Sequence, residues 1–235
     1  MTRALSIFLF VAAVAFAMGP FATPGFGGFT ADQFPVPQVD PPAQPAGYAF
    51  AIWGLIYLWI IAGTGFQLLT RHDAPDWEAV RLPWIVSLVL GAPWLAVAQM
   101  SPLWATVLIW LMWGFAVFAL LRAPRRDGWF GHGPLGLYAG WLTAASSVSI
   151  ALMLAGHGIM GQIPAAILAL LIALSLGVAI TRARPDAQSF PAGVVWALIG
   201  VIVANAEAGS TLILLLAAFG AAGLSWLTLT QSRKA

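Results

Sequence analysis

The sequence predicts an all-α, polytopic membrane helix bundle of about eight transmembrane helices. Three observations predict it. Only 8% of the 235 residues are charged and 61% are hydrophobic, whereas a soluble domain carries roughly 25% charged residues. Apolar runs of about 20 residues recur along the whole chain, the length a helix needs to cross a hydrocarbon core ~30 Å thick. A membrane β-barrel would show alternating segments of about ten residues instead. The basic residues also fall in alternate loops, the pattern left when one side of a membrane collects Lys and Arg.

The expected spans are 4–21, 46–69, 82–100, 102–121, 134–155, 162–180, 191–206 and 209–229. Pro83, Pro102, Pro134, Pro164 and Pro191 lie in or near first turns, where a missing N–H costs nothing. In this layout Arg3, Arg71, Arg81, Arg122, Arg125, Arg126, Arg182, Arg184, Arg233 and Lys234 share one side, while Asp32, Asp40 and Glu207 lie on the other. An error of one span would scramble that segregation. Both termini are therefore expected in the cytoplasm, and the expected location is a bacterial inner (plasma) membrane. Thr2-Arg3, the apolar run after it and Ala15-Phe16-Ala17 also fit a cleaved signal peptide; under either reading residue 30 lies outside.

Residues 22–45 form the one long loop, rich in Pro, Gly and Phe. Loops of this length are usually functional or disordered. Phe21, Phe26, Phe29 and Phe34 favour packing against the bundle, as a lid would.

Absent residues exclude several functions. There is no cysteine, hence no disulfide, thiolate metal site or cysteine nucleophile. The single lysine is Lys234, so no helix carries a retinal attachment site. His72, His132 and His157 lie in loops or at helix ends, not where facing helices would ligate haem iron. Pumps generally need intramembrane carboxylates, and Glu207 is the one acidic residue near a span. No Gly-x-Ser-x-Gly and no metal-ligand cluster occurs, so no usual enzyme constellation is present. The net charge of +2 is spread over several loops, with no basic stripe for nucleic acid.

Tryptophan is abundant, with 12 copies. Trp77, Trp84, Trp104, Trp129 and Trp226 fall near predicted interfaces, where an aromatic belt accounts for them. Trp53, Trp94, Trp110, Trp113 and Trp141 fall deeper. Packing with an N–H bonded to a neighbouring helix explains any one of these. Several together suit a pocket for a flat apolar ligand. Phe50, Trp53 and Tyr57 share a face of the second helix by spacing; Tyr138, Trp141 and Ala145 form a stripe on the fifth. Gly140 and Ala144 allow a neighbouring helix to approach closely. Gln67, Gln99, Asn205, Ser146, Ser147 and Ser149 are candidate interhelical hydrogen-bond partners, serving either packing or a ligand.

Pro41-Pro42 followed by Pro45-Ala-Gly-Tyr-Ala-Phe-Ala-Ile-Trp-Gly-Leu-Ile-Tyr57 resembles the tryptophan-rich sensory protein, or translocator protein (TspO/MBR), family in one of its longer, divergent forms. Leu88-Val-Leu-Gly-Ala-Pro-Trp94 with Gln99 is similar to the family's Asn-x-x-Trp helix, and Pro134-Leu-Gly-Leu-Tyr138-Ala-Gly-Trp141-Leu-Thr-Ala144 to its Pro-Tyr-x-x-Trp helix. The matching stretches span about residues 35–150. Gly91 stands where the family has Asn, and no sterol pattern follows Tyr138, since Arg182 is the next basic residue.

The resemblance implies a five-helix core with an aromatic pocket, usually in a homodimer, that binds tetrapyrroles or sterols. Carried over by position, Phe50, Trp53, Tyr57, Trp94, Gln99, Tyr138, Trp141 and Ala144 would line or flank the pocket. The chain then divides into that core with its outer loop, 1–155, and three additional helices with a short cytoplasmic tail, 156–235. The expected function is a binding protein or sensor for a hydrophobic planar ligand, tetrapyrrole-like, with a regulatory output. No cofactor is required; the expected partners are that ligand, the bilayer and a second copy. An exporter of porphyrin or another small hydrophobic molecule is the alternative. It predicts a midplane cavity and paired broken helices. Catalysis on a ligand in the bilayer ranks last, because only tyrosines and indoles are at hand.

Overall fold

The computed structural model describes residues 2–23, 26–207 and 209–232. Arg233 and Lys234, part of the charge pattern above, lie outside them. The described residues are helical, with no strand. The helices are α1 (Thr2–Ala22), α2 (Ile52–Thr70), α3 (Glu78–Gly91), α4 (Trp94–Met100), α5 (Pro102–Arg122), α6 (His132–Gly156), α7 (Gln162–Ala183), α8 (Ser189–Ala204) and α9 (Thr211–Ser232). Taking α3 and α4 as one interrupted span, seven spans are long and apolar enough to cross a membrane, and α8 is a shorter apolar helix. The chain is an all-α, polytopic membrane helix bundle of about eight helices.

The third span departs from the expected 82–100. It starts earlier, with a 3-10 turn over Pro75–Trp77, and it breaks between Gly91 and Trp94. Pro93 causes the break, because its ring offers no N–H to the turn before it and crowds the carbonyl four residues back. The turn at Ser101 is as tight as its sequence suggests. The Ser101 hydroxyl caps α5 by accepting the Trp104 backbone N–H at 3.3 Å, with Pro102 in the first turn.

Helix α6 is the axis of the bundle and packs against α2, α5, α7 and α8. Of its most apolar stretch 72% is buried, against 22–44% in the other long spans. Glycines make this density feasible. A Cβ at Gly193 of α8 would stand 2.8 Å from both the Leu137 carbonyl oxygen and the Trp141 nitrogen, and one at Gly140 would meet the Phe190 backbone. The close approach expected at Gly140 is thus made by α8. Of the three C-terminal helices α7 and α8 lie against α6, and α9 packs on α7 and α8.

The loops at one end carry Arg71, Arg125, Arg126 and Arg184 and are tied by ion pairs. Arg71 donates to both Asp127 oxygens, at 3.0 and 3.1 Å, and the Trp77 indole N–H donates to the same carboxylate at 2.9 Å. Burial opposes the charge on Asp127. The hydrogen bonds from Arg71 and Trp77 and the charges of Arg71 and Arg126 outweigh it, holding the carboxyl below the usual range. Arg126 pairs with Asp76 at 2.7 Å, and Arg184 pairs with Asp186 at 2.7 Å while donating to the Leu120 carbonyl. Trp77 and Trp84 are fully buried, so the interfacial-belt reading fails for both; Trp104, Trp129 and Trp226 are exposed.

At the other end the long loop folds across the helices. Gln33 Nε2 donates to the Ala98 carbonyl at 2.9 Å, Val36 N–H to Gly156 at 2.8 Å, and Ala46 N–H to Gly200 at 3.0 Å. Asn205 Nδ2 donates to the Pro42 carbonyl at 2.9 Å. Phe34 is buried, and Phe26 and Phe29 pack against the core; Phe21 is exposed and does not.

Candidate ligand cavity

Alanine spacing opens a cavity under this loop. Ala166, Ala169 and Ala173 recur along one face of α7 and meet Ala144, Ala145 and Val148 of α6 and Ala197 of α8. Small side chains on three facing helices leave space that larger residues would fill. The enclosed volume is about 70 Å³, below the ~300–1,000 Å³ of ordinary ligand sites, so a large ligand enters only by parting these walls. Phe26 and Phe29 of the loop, Phe50, Trp94 and Trp141 supply aromatic walls. Gly28 of the loop has φ +122° and lies against the Gln44 amide, close enough that a Cβ would stand 2.5 Å from Nε2. Both conditions call for glycine there.

Four of the residues expected at a pocket line this cavity: Phe50, Trp94, Trp141 and Ala144. The others lie elsewhere. Phe16 of α1 stands between α2 and α6, its ring 5.8 Å from Trp53, 5.1 Å from Tyr57 and 5.5 Å from Tyr138. Trp53 and Tyr57 stack at 5.4 Å. The space between the second, third and fifth spans is therefore filled largely by aromatic contact. A small void of about 10 Å³ remains there, lined by Phe16, Trp53, Tyr57 and Trp94 among others. Residues 3–22, which also fit a signal peptide by sequence, pack here as a bundle helix.

Phe50 belongs to a 3-10 turn, Gly47–Ala51, ahead of α2. It meets Trp141 edge-on at 5.7 Å, as Trp53 does at 6.2 Å, but Phe50 lines the larger cavity and Trp53 the smaller. Tyr138 is fully buried and lines neither cavity. Its hydroxyl lies 3.0 Å from Ser87 Oγ. Ser87 gives its own proton to the Met112 carbonyl at 2.8 Å, so Tyr138 is the donor. Gln99 is exposed, and its backbone carbonyl accepts from Gln33 at 3.3 Å.

Gly91, where the resembling family has Asn, is explained by Phe16. A Cβ at residue 91 would lie 2.6 and 2.8 Å from two Phe16 ring carbons and 3.0 Å from Met112 Cε. The aromatic ring occupies the room an amide would need.

A family model described as TSPO-like protein matches residues 4–230. The chain belongs to the TSPO-like family. The match runs past the motif-bearing stretch and through α7, α8 and α9. No curated protein and no solved structure matches the chain.

Sequence reasoning about this TSPO-like protein found the aromatic residues but missed the far wall on α7 and α8. The signal was present as the alanine spacing on α7. It reads equally as ordinary small-residue packing until a neighbour fails to fill it. Of the other polar candidates, Gln67 bridges helices, donating to the Ser6 carbonyl at 3.1 Å and accepting from Arg81 at 3.0 Å. Ser146 donates across to the Ile109 carbonyl at 3.3 Å, while Ser147 and Ser149 donate within α6. No titratable side chain lines the larger cavity, and among the described residues no His/Asp/Glu group could hold a metal.

Proposed function

We propose that this TSPO-like protein is a membrane-embedded receptor for a hydrophobic planar, tetrapyrrole-like ligand, which parts the walls of the cavity between α6, α7, α8 and the outer loop. The observation that carries this reading is the cavity itself. It is apolar, partly enclosed and walled by aromatic rings from four separate segments, which suits a flat ligand. The loop supplies the output. It lines the cavity through Phe26 and Phe29 and hydrogen-bonds to α4, α6 and α8, so a bound ligand that moves the phenylalanines moves the outer surface. The ion-paired end faces the cytoplasm in this reading, following the excess of basic residues, and the membrane is the bacterial inner membrane. Among the described residues one span is interrupted, at Gly91–Trp94. Alternating-access transporters typically use paired breaks, so binding is favoured over transport.

The test is tryptophan fluorescence quenching of purified protein titrated with protoporphyrin IX, as free acid and as dimethyl ester. Saturable quenching by either form, lost in Ala144→Phe and weakened in Trp141→Phe, supports the reading. Quenching retained in Ala144→Phe but lost in Tyr57→Phe moves the ligand to the smaller cavity. Quenching by neither form, in folded protein, rejects the reading.

A further inference from the structure

We infer that the cavity selects an uncharged ligand and rejects one that carries carboxylates. The inference rests on the ligand-binding reading above and adds the charge class. A carboxylate taken out of water needs a cation or several N–H donors to replace its hydration. The cavity supplies no cation, since no Lys, Arg or His lines it. Its neutral donors are largely committed. Ser147 Oγ donates to the Thr143 carbonyl and Ser149 Oγ to the Ser146 carbonyl, both at 2.7 Å. The Trp94 indole donates to the Ala105 carbonyl at 2.9 Å. Only the Trp141 N–H, buried and without a partner among the described residues, and the Gln44 amide remain.

The surroundings repeat the pattern. Arg182 is nine residues beyond Ala173, the deepest α7 wall residue, or ~13 Å along the axis. Arg184 is already bound to Asp186 and Leu120. At the loop end the charges are acidic: Asp32, Asp40 and Glu207, with no Lys or Arg in 26–70. The Thr30 hydroxyl helps hold the Asp32 carboxyl below its usual range, so it stays ionised. An anion approaching from the loop side meets repulsion, and inside it meets no counter-charge. The histidine at this end, His157, is exposed, and its Nδ1 lies 2.9 Å from the Met153 carbonyl.

The experiment compares protoporphyrin IX with its dimethyl ester at pH 8, two probes that share a ring but differ by two charges. Both are titrated by tryptophan quenching in uncharged detergent. The ester is expected to bind about tenfold or more tightly than the acid. In Gln44→Lys, which sets a cation at the cavity wall, acid binding should strengthen relative to ester binding. Acid binding equal to or tighter than ester binding in the unaltered protein overturns the charge selection and leaves the receptor reading standing. Binding of neither form overturns both.

Discussion

The indole N–H of Trp94 donates to the Ala105 carbonyl oxygen across 2.9 Å, and this bond pins a side chain shared by two cavities. Trp94 lines both the larger and the smaller cavity. It also stands at the first residue of α4, directly after the proline break. Trp94→Phe keeps the aromatic wall and removes the donor, leaving a buried carbonyl without that bond. The expected loss is about 1–3 kcal/mol, read as a lower thermal midpoint of the detergent-purified protein. An unchanged midpoint would show that the bond does not hold the wall.

Phe16 and Gly91 are complementary, and the pair can be tested as such. Gly91→Asn should destabilise by roughly 1–3 kcal/mol through overpacking, because Phe16 already fills the space. Phe16→Ala should cost about 3–5 kcal/mol by leaving a cavity. The double variant should lose clearly less than the sum, since the amide enters the vacated room. Strict additivity in a double-mutant cycle would disprove the coupling.

The α6–α8 contact leaves no slack. Gly140→Ala sets a methyl group against the Phe190 backbone and 3.3 Å from Gly193 Cα, and backbone cannot rotate away as a side chain can. The variant should lower the thermal midpoint, with a cost of about 1–3 kcal/mol. Gly114→Ala, whose Cβ meets nothing within 4 Å, is the matched control and should be neutral. Equal behaviour of the two would mean that α8 does not seat on Gly140.

Asp127 predicts a pH dependence. Its folded carboxyl is held below the ordinary value, against burial, by Arg71, Trp77 and Arg126. A depressed acid stabilises the fold above its unfolded value of roughly 3.9, and the contribution fades as pH falls through the folded value. Asp127→Asn should therefore melt lower than the parent at pH 7, with the gap narrowing below about pH 4. A gap that stays constant across that range would assign the loss to packing instead of charge.

Much of this was legible in the residues. The span count followed from apolar length and the segregation of arginines, and the structure joins Arg71, Arg126 and Arg184 at one end through Asp127, Asp76 and Asp186. Those are local or one-dimensional properties, governed by helix length and the cost of charge in hydrocarbon. Trp94, Trp141 and Phe50 were also recognisable, because deep aromatics in apolar helices demand explanation.

Tertiary structure decided what surrounds them. Spacing placed Trp53 and Tyr57 on a face with Phe50, and Phe50 and Trp53 both meet Trp141, but Phe16 from a helix far away in sequence packs against Trp53 and Tyr57. Trp77 and Trp84 read as interfacial by position and are buried, Trp77 because Asp127 reaches its indole. The cavity belongs to no single helix. It exists where alanines of α6, α7 and α8 face one another, and empty space is a property of facing surfaces that a single strip of sequence does not carry.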